Sequence, residues 1–263
     1  MKGDNRSIEV QLTSGTGSVL RPERKHPLTK RARVAKEDFF DQFAWIYTLL
    51  RERIFQDDTE EIIQILVSFG LKLNGARVVE LGCGPGFYAT RIAKRFRLLN
   101  VIGVDRSVRL VEHGRARARL LGLTNCDFLH SDVRALAVET ASIQAVITSR
   151  LFMMLDEREV AMEEAYRVLR PGGLLFVAEP RSQRRAMIPV LIMRALAQLM
   201  RSLGRVHPGE YGENIRIKVL ETEGFDRLLQ LHPWQRTVRW ETKHYQYAVC
   251  TKRIENDDRD FII

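Results

Sequence analysis

The sequence predicts an α/β protein built on a doubly wound, mostly parallel sheet. Short apolar segments alternate along the chain with segments of helical spacing, which is typical of parallel strands joined by right-handed crossovers. A glycine-rich turn follows the first apolar segment, and an acidic residue ends the second. In an open parallel sheet, both positions lie beside the crevice in which ligands bind.

The elements follow one another in a regular order. Helical segments are predicted at 37–55 and 57–73, with Asp57, Asp58 and Thr59 as capping candidates for the second. Five apolar segments then read as strands, at 76–81, 100–105, 126–132, 143–151 and 174–180. Helical patterns occupy the intervals from about Tyr88, over 107–122 and over 157–170, and the last leads into a Pro-Gly-Gly turn.

Composition indicates a globular protein with one large core. The chain has 263 residues, of which 45% are hydrophobic and 29% are charged. Its three cysteines show no Cys-x-x-Cys pair, so neither a disulfide framework nor a metal site is predicted. Residues 1–36 contain no apolar run of the length that a signal peptide needs, and we therefore expect a cytoplasmic location.

The basic charge is concentrated at the beginning of the chain. The net charge is +9, and residues 1–36 hold nine Lys or Arg and three Asp or Glu. This segment has little apolar surface to bury, so we predict a disordered basic tail (1–36) ahead of a folded domain (37–263). Such a tail is compatible with nucleic acid, with an anionic membrane surface or with simple solvation. The remainder is close to charge balance, which makes nucleic acid a less favoured partner.

The turn "ELGCGPG" (80–86) carries the strongest functional signal. Glycines at the end of a strand let the backbone approach a ligand, and Asp105 ends the second strand, 19 residues after Gly86, where a carboxylate can bind ribose hydroxyls. The spacing is G-x-G-x-G, not the G-x-G-x-x-G of dinucleotide sites. Glu80 near the turn suits a ligand with an ammonium and a sulfonium, which favours S-adenosylmethionine over NAD.

In this region the chain resembles the class I S-adenosylmethionine-dependent methyltransferases, in the group that includes quinone and small-molecule enzymes. The resemblance covers roughly 75–180 and rests on "VVELGCGPG", "VIGVDRS", "FLHSDVRAL", "AVITSRLFMML" and "RVLRPGGLLFVAEP" in that order. It implies a Rossmann-like sheet of seven strands, with "YQYAVCTK" (245–252) as the antiparallel last strand. The cofactor-binding core is then 75–181, followed by a helical cap at 182–222.

The resemblance also implies a role for individual residues. Glu80, Gly82, Gly84 and Gly86 would surround the methionine part of the cofactor, and Asp105 would hold the ribose. The adenine would contact Asp132, Val133 and Arg106. The methionine amino group would contact the backbone carbonyls of Arg150 and Leu151. The acid that often begins the fourth strand in relatives is replaced here by Ile143-Gln144.

The acceptor is predicted to be a small hydrophobic molecule. The segment 184–205 is apolar over most of its circumference, which indicates a buried packing helix, a lid over an apolar pocket or a surface that touches a membrane. It is too short and too rich in arginine to span a bilayer. Tyr47, Phe152 and Met193 are the candidates for contact with the acceptor.

No sequence motif identifies a general base. The candidates are Glu179 and four residues in or near predicted loops, namely His207, Tyr211, His232 and His244. Methyl transfer from a sulfonium relies on alignment and needs a base only if the acceptor loses a proton. Two alternatives stay open: an RNA methyltransferase, although "SRLFMM" (149–154) lacks the Asn/Asp-Pro-Pro-aromatic motif, and a cofactor-binding partner protein without turnover.

Overall fold

A seven-stranded sheet forms the centre of the computed structural model, which describes Thr48 and residues 56–68, 75–202 and 217–254. The strands are β1 (Arg77–Leu81), β2 (Asn100–Asp105), β3 (Cys126–His130), β4 (Ile143–Ser149), β5 (Leu169–Pro180), β6 (Trp234–Glu241) and β7 (Tyr245–Lys252). The helices are α1 (Thr59–Ser68), α2 (Phe87–Arg95), α3 (Val108–Leu120), α4 (Arg158–Val168), α5 (Gln183–Ser202) and α6 (Thr222–Leu229). A short 3-10 helix spans Phe152–Met154.

The strand order is β3-β2-β1-β4-β5-β7-β6, as the doubly wound prediction requires. The first five strands pair in parallel, whereas β7 pairs antiparallel with both β5 and β6. The mostly parallel sheet with an antiparallel last strand is thus confirmed. The strand order reverses direction between the neighbouring strands β1 and β4. The carboxyl ends of these two strands therefore form the crevice in which such a sheet binds ligands.

Both faces of the sheet are covered, so β1 and β4 are buried along almost their whole length. One core lies between the sheet and α1, α2 and α3, and a second lies between the sheet and α4 and α6. The β1 segment contributes Val78 to the first core and Val79 to the second, since successive side chains point to opposite faces.

The fifth strand differs from its prediction. The pattern predicted a strand at 174–180 after a Pro-Gly-Gly turn, but β5 already begins at Leu169, which pairs with Ile143. The register then shifts, and Ala145 pairs with Leu174. The turn is therefore a bulge within the strand, because the chain leaves the ladder briefly at exposed residues and returns to it in a new register.

Several predicted segments lie outside the described residues. These are the basic tail, nearly all of the first helical segment (37–55), of which Thr48 is described as helical, the end of the second helical segment (69–73), and the part of the cap at 203–216. Within the described ranges, no helix is both long and apolar enough to cross a membrane.

Candidate active site

The glycine-rich turn adopts a backbone that other residues would not tolerate. Gly82, Gly84 and Gly86 have φ angles of 68°, 53° and 74°, in the left-handed region. A Cβ atom at Gly82 would lie 2.8 Å from Leu151 Cδ1, and one at Gly86 would lie 2.4 Å from the Phe128 ring. The turn is therefore packed closely on both sides as well as conformationally restricted.

Asp105 joins the turn to the next helix. Its Oδ2 accepts a hydrogen bond from the Gly84 amide at 2.8 Å, and its Oδ1 accepts one from the Ser107 amide at 2.9 Å. Ser107 in turn caps α3 by accepting from the Leu110 amide at 3.1 Å. Both carboxylate oxygens are thus oriented by backbone donors, and each oxygen can accept more than one hydrogen bond.

Glu80 lies in β1 beneath the turn and is only 4% exposed. Its Oε2 accepts from the Ala89 amide at 2.7 Å, within the first turn of α2. A carboxylate at a helix N-terminus is favoured by the helix dipole. Glu80 therefore fixes α2 to the strand, and it is not among the residues that line the neighbouring cavity.

A cavity of about 220 Å³ opens at the carboxyl ends of the parallel strands. We call one side of it the polar end, formed by Gly82, Gly84, Asp105, Ser107, Asp132 and Arg134. We call the other side the apolar end, formed by Met153, Met154, Leu155, Ala186, Val190 and Ile217. Arg106, Val133, Arg150 and Leu151 also line the cavity, so most of the residues expected at the cofactor lie around one space.

Asp132 is paired with an arginine that sequence analysis did not single out. The Arg134 side chain donates from Nε and Nη2 to the Asp132 carboxylate, the shortest contact being 2.6 Å, and its Nη1 contacts Glu157. The hydrogen bonds and positive charge of Arg134 lower the pKa of Asp132. Asp132 is therefore held as a carboxylate beside the cavity.

Arg150 has an unusual backbone and a buried side chain. Its φ is 57°, a conformation that is uncommon for a residue other than glycine. The guanidinium donates from Nη2 to the Tyr88 hydroxyl at 2.9 Å, and from Nη1 to the Gln56 carbonyl at 3.3 Å and the Tyr245 hydroxyl at 3.4 Å. Arg150 thus connects the end of β4 to the segment before α1, a role that the linear motif does not reveal.

Asp58 is the acidic centre of this buried network. Its carboxylate accepts from the hydroxyls of Tyr88 at 2.8 Å and Tyr247 at 3.0 Å, and Arg150 lies 3.8 Å away as an ion pair. Of the three capping candidates, the side chain that contacts the first helical amide is that of Asp57, at 3.0 Å from the Thr59 nitrogen. Asp58 therefore bonds to other elements of the fold.

Glu179 is completely buried at the end of β5. Its Oε1 accepts from the Phe152 amide at 2.8 Å and its Oε2 from the Met153 amide at 3.2 Å, at the start of the 3-10 helix. Burial raises the pKa of Glu179 to about 7, although these backbone donors and Arg150 favour the charged form. Glu179 does not line the cavity, and its contacts position the segment after β4.

The apolar end is a small core of its own. Met153, Ala186, Val190 and Ile217 pack together there, joining the 3-10 helix, α5 and the chain segment before α6. The Gln183 side chain strengthens this junction, because its Nε2 donates to the Ile217 carbonyl at 2.5 Å and its Oε1 accepts from the Val219 amide at 3.0 Å. Helical spacing alone could not tell which face of α5 lines the cavity.

The remaining candidates are dispersed. Tyr47, His207 and Tyr211 lie outside the described residues, as does the side chain of Met193 in α5. Phe152 is fully buried, and the cavity is lined by the residues that follow it. His244 is half-buried in the turn between β6 and β7, and His232 stacks on the Tyr166 ring at 4.2 Å; neither lines the cavity.

Known proteins support the assignment that the fold and this site suggest. Residues 78–173 match a family described as a methyltransferase domain. Trans-aconitate 2-methyltransferase of Azoarcus sp. (strain BH72) is 30% identical over 109 residues, which cover 41% of each chain. A fatty-acid O-methyltransferase of Mycolicibacterium smegmatis is also 30% identical over 109 residues, 41% of this chain and 39% of that protein. The chain thus spans about two fifths of the length of these relatives.

A solved structure extends the likeness to the whole sheet. Magnesium protoporphyrin IX methyltransferase from Synechocystis PCC 6803, with bound S-adenosylhomocysteine, aligns with a TM-score of 0.57 over 82% of this chain and 97% of its own. At 15% identity this likeness concerns the fold alone. The family match at 78–173 and the glycine turn together indicate an S-adenosylmethionine-dependent methyltransferase domain in this part of the chain.

Proposed function

We propose that this protein transfers the methyl group of S-adenosylmethionine to a small, predominantly apolar acceptor. The observation that carries the proposal is the single cavity in which a polar end, with Asp105 beside the glycine turn, adjoins an apolar end. An oriented carboxylate suits a ribose, and a wall of methionine and aliphatic side chains suits an acceptor with few polar groups. The name of the fatty-acid O-methyltransferase supports such an acceptor.

The cofactor would be held by residues of the polar end. Asp105 would accept hydrogen bonds from the ribose hydroxyls, since backbone donors already orient both of its oxygens. Asp132, Val133 and Arg106 would contact the adenine, and the left-handed glycines would admit the methionine portion close to the backbone. Glu80 would act through α2, because its carboxylate is bonded to the Ala89 amide.

When bound, S-adenosylmethionine supplies a methyl group on a sulfonium, which is an electrophile that needs no further activation. The chain then has two tasks, which are to align the acceptor and to exclude water. Met153, Ala186, Val190 and Ile217 form the wall that would do both. A general base is needed only if the molecule to be methylated attacks in its protonated form. A carboxylate group that receives the methyl needs no base.

The test has a binding arm and a transfer arm. Calorimetry with S-adenosylmethionine and S-adenosylhomocysteine should show binding of both, which would be absent if the cofactor assignment were wrong. Cell extract incubated with the protein and methyl-labelled cofactor is then separated into lipid, small-molecule, RNA and protein fractions. We expect label in the lipid or small-molecule fraction. Label confined to RNA or protein would refute the acceptor class, and binding without any transfer would indicate a non-catalytic partner protein.

A further inference from the structure

The outer face of α5 carries an exposed apolar stripe. Ile188, Leu191 and Leu199 are 46%, 54% and 56% exposed, and Ala195 between them is exposed as well. With 3.6 residues per turn, these four positions fall on one side of the helix over a length of about 16 Å. We call them the outer stripe.

The opposite side of the same helix lines the cavity. Ala186 and Val190 are buried there, at 8% and 4% exposure, and pack against Met153 and Ile217. The helix is therefore apolar on two faces, of which only one is satisfied by the fold of the described residues. An exposed apolar surface of this kind is characteristic of a binding surface.

The charges of α5 indicate the kind of partner. The helix contains four arginines (184, 185, 194 and 201) and no aspartate or glutamate. Of these, the side chains of Arg184 and Arg194 are described, and both are exposed near the outer stripe. Arginine side chains at the border of an apolar stripe can place their aliphatic part over it while the guanidinium reaches toward anionic groups.

We propose that α5 docks on an anionic lipid bilayer, with the outer stripe in the interface and its arginines at the headgroups. An amphipathic helix of this composition binds a bilayer surface through apolar insertion together with attraction to anionic lipids. A second copy of the chain is a poorer occupant, because a symmetrical contact would bring arginines together without an acidic residue on either helix. Docking in this orientation places the helix that carries the wall of the apolar end on the lipid surface.

The test uses the full chain and vesicles of phosphatidylcholine, with or without phosphatidylglycerol. We expect sedimentation with the vesicles that contain phosphatidylglycerol, and weaker binding at high salt. The variant Leu191→Asp with Leu199→Asp should bind at least about tenfold more weakly, because the insertion of the outer stripe is lost. A matched control is Leu98→Asp with Leu120→Asp, at positions 63% and 87% exposed outside α5, which changes the net charge equally and should bind like the unmodified protein.

Each contrary result has a distinct meaning. If both variants lose binding equally, or if neither does, the basic charge elsewhere in the chain binds the vesicles and the docking proposal is wrong. Absence of binding to any vesicle also overturns it. A dimer in lipid-free buffer that dissociates only in the Leu191→Asp, Leu199→Asp variant would assign the outer stripe to a second copy. Melting temperature and S-adenosylhomocysteine affinity, measured on both variants, show that the fold is intact.

Discussion

At the polar end of the cavity, backbone amides of the turn and of the following segment donate to one acidic side chain, whereas at the apolar end separate segments meet mainly through apolar side chains, with a backbone hydrogen bond from the Lys218 amide to the Met153 carbonyl at 2.9 Å. The Gly84 amide, just after β1, and the Ser107 amide, just after β2, both donate to Asp105. The apolar end joins the 3-10 helix, α5 and residues 217–219, and the Gln183 amide is a principal polar link in it. The difference suggests a fixed site for the cofactor and an adaptable one for the acceptor.

This comparison predicts that the polar end does not tolerate an added methyl group in the glycine turn. In Gly86→Ala, the new Cβ would lie 2.4 Å from the Phe128 ring at a φ of 74°, so we expect a loss of about 2–5 kcal/mol in the free energy of unfolding. Gly122→Ala is the matched control, because Gly122 has a φ of 61° but nothing within 4 Å of its Cβ position. That variant should lose about 1 kcal/mol. Denaturant unfolding measures both, and equal losses would show that packing at the turn is unimportant.

The next largest effect concerns the binding of the cofactor. Asp105→Ala removes a charged acceptor, and we expect the affinity for S-adenosylhomocysteine to fall by about 1.5–3 kcal/mol, roughly 10- to 150-fold. Asp127→Ala, at an exposed position of the adjacent strand β3, should leave the affinity unchanged. Calorimetry on folded samples of both variants is the measurement. An unchanged affinity in Asp105→Ala would contradict the cofactor site.

The apolar end can be altered separately. Ala186→Leu adds volume to the cavity wall, so we expect kcat/KM for the acceptor to fall at least about tenfold, which is about 1.4 kcal/mol. Cofactor affinity should stay within about twofold, because Ala186 belongs to the other end of the cavity. Ala195→Leu makes the same change at an exposed position of the same helix and should affect neither quantity. An equal loss of cofactor affinity in Ala186→Leu would mean that the two ends are not independent.

The last prediction concerns the pH dependence that Glu179 gives to the stability of the fold. The pKa of Glu179 is raised to about 7 by burial, so its contribution favours the folded state below the ordinary glutamate pKa and is lost as the pH rises through about 7. The slope is at most about 1.4 kcal/mol per pH unit. Glu179→Gln should flatten the dependence of unfolding free energy on pH between about 5 and 7.5. The control Glu223→Gln, at an exposed position in α6, should retain it, and an unchanged slope in Glu179→Gln would refute this role.

Local patterns in the sequence were sufficient for the parallel strands, the glycine turn and Asp105. The parallel strands follow from apolar segments that alternate with helical ones, and the positive φ angles of the turn require glycine, whereas the seven-stranded sheet with its antiparallel last strand was implied by the family resemblance. Asp105 falls at the end of β2, as the spacing predicts, and its carboxylate meets the turn. The bulge in β5 was missed because its new register is set by pairing with β4, which no local pattern records.

Side-chain partners that are distant in the chain were decided by the tertiary structure alone. Asp58 was a capping candidate but bonds to Tyr88 and Tyr247, because burial requires a partner for its charge. Glu179, a candidate base by position, instead holds the amides after β4. In α5 both faces are apolar, so periodicity could not decide that Ala186 lines the cavity while Leu191 lies outside. Which face of α5 lines the cavity depends on the surface against which the helix packs, and that surface exists only in the folded chain.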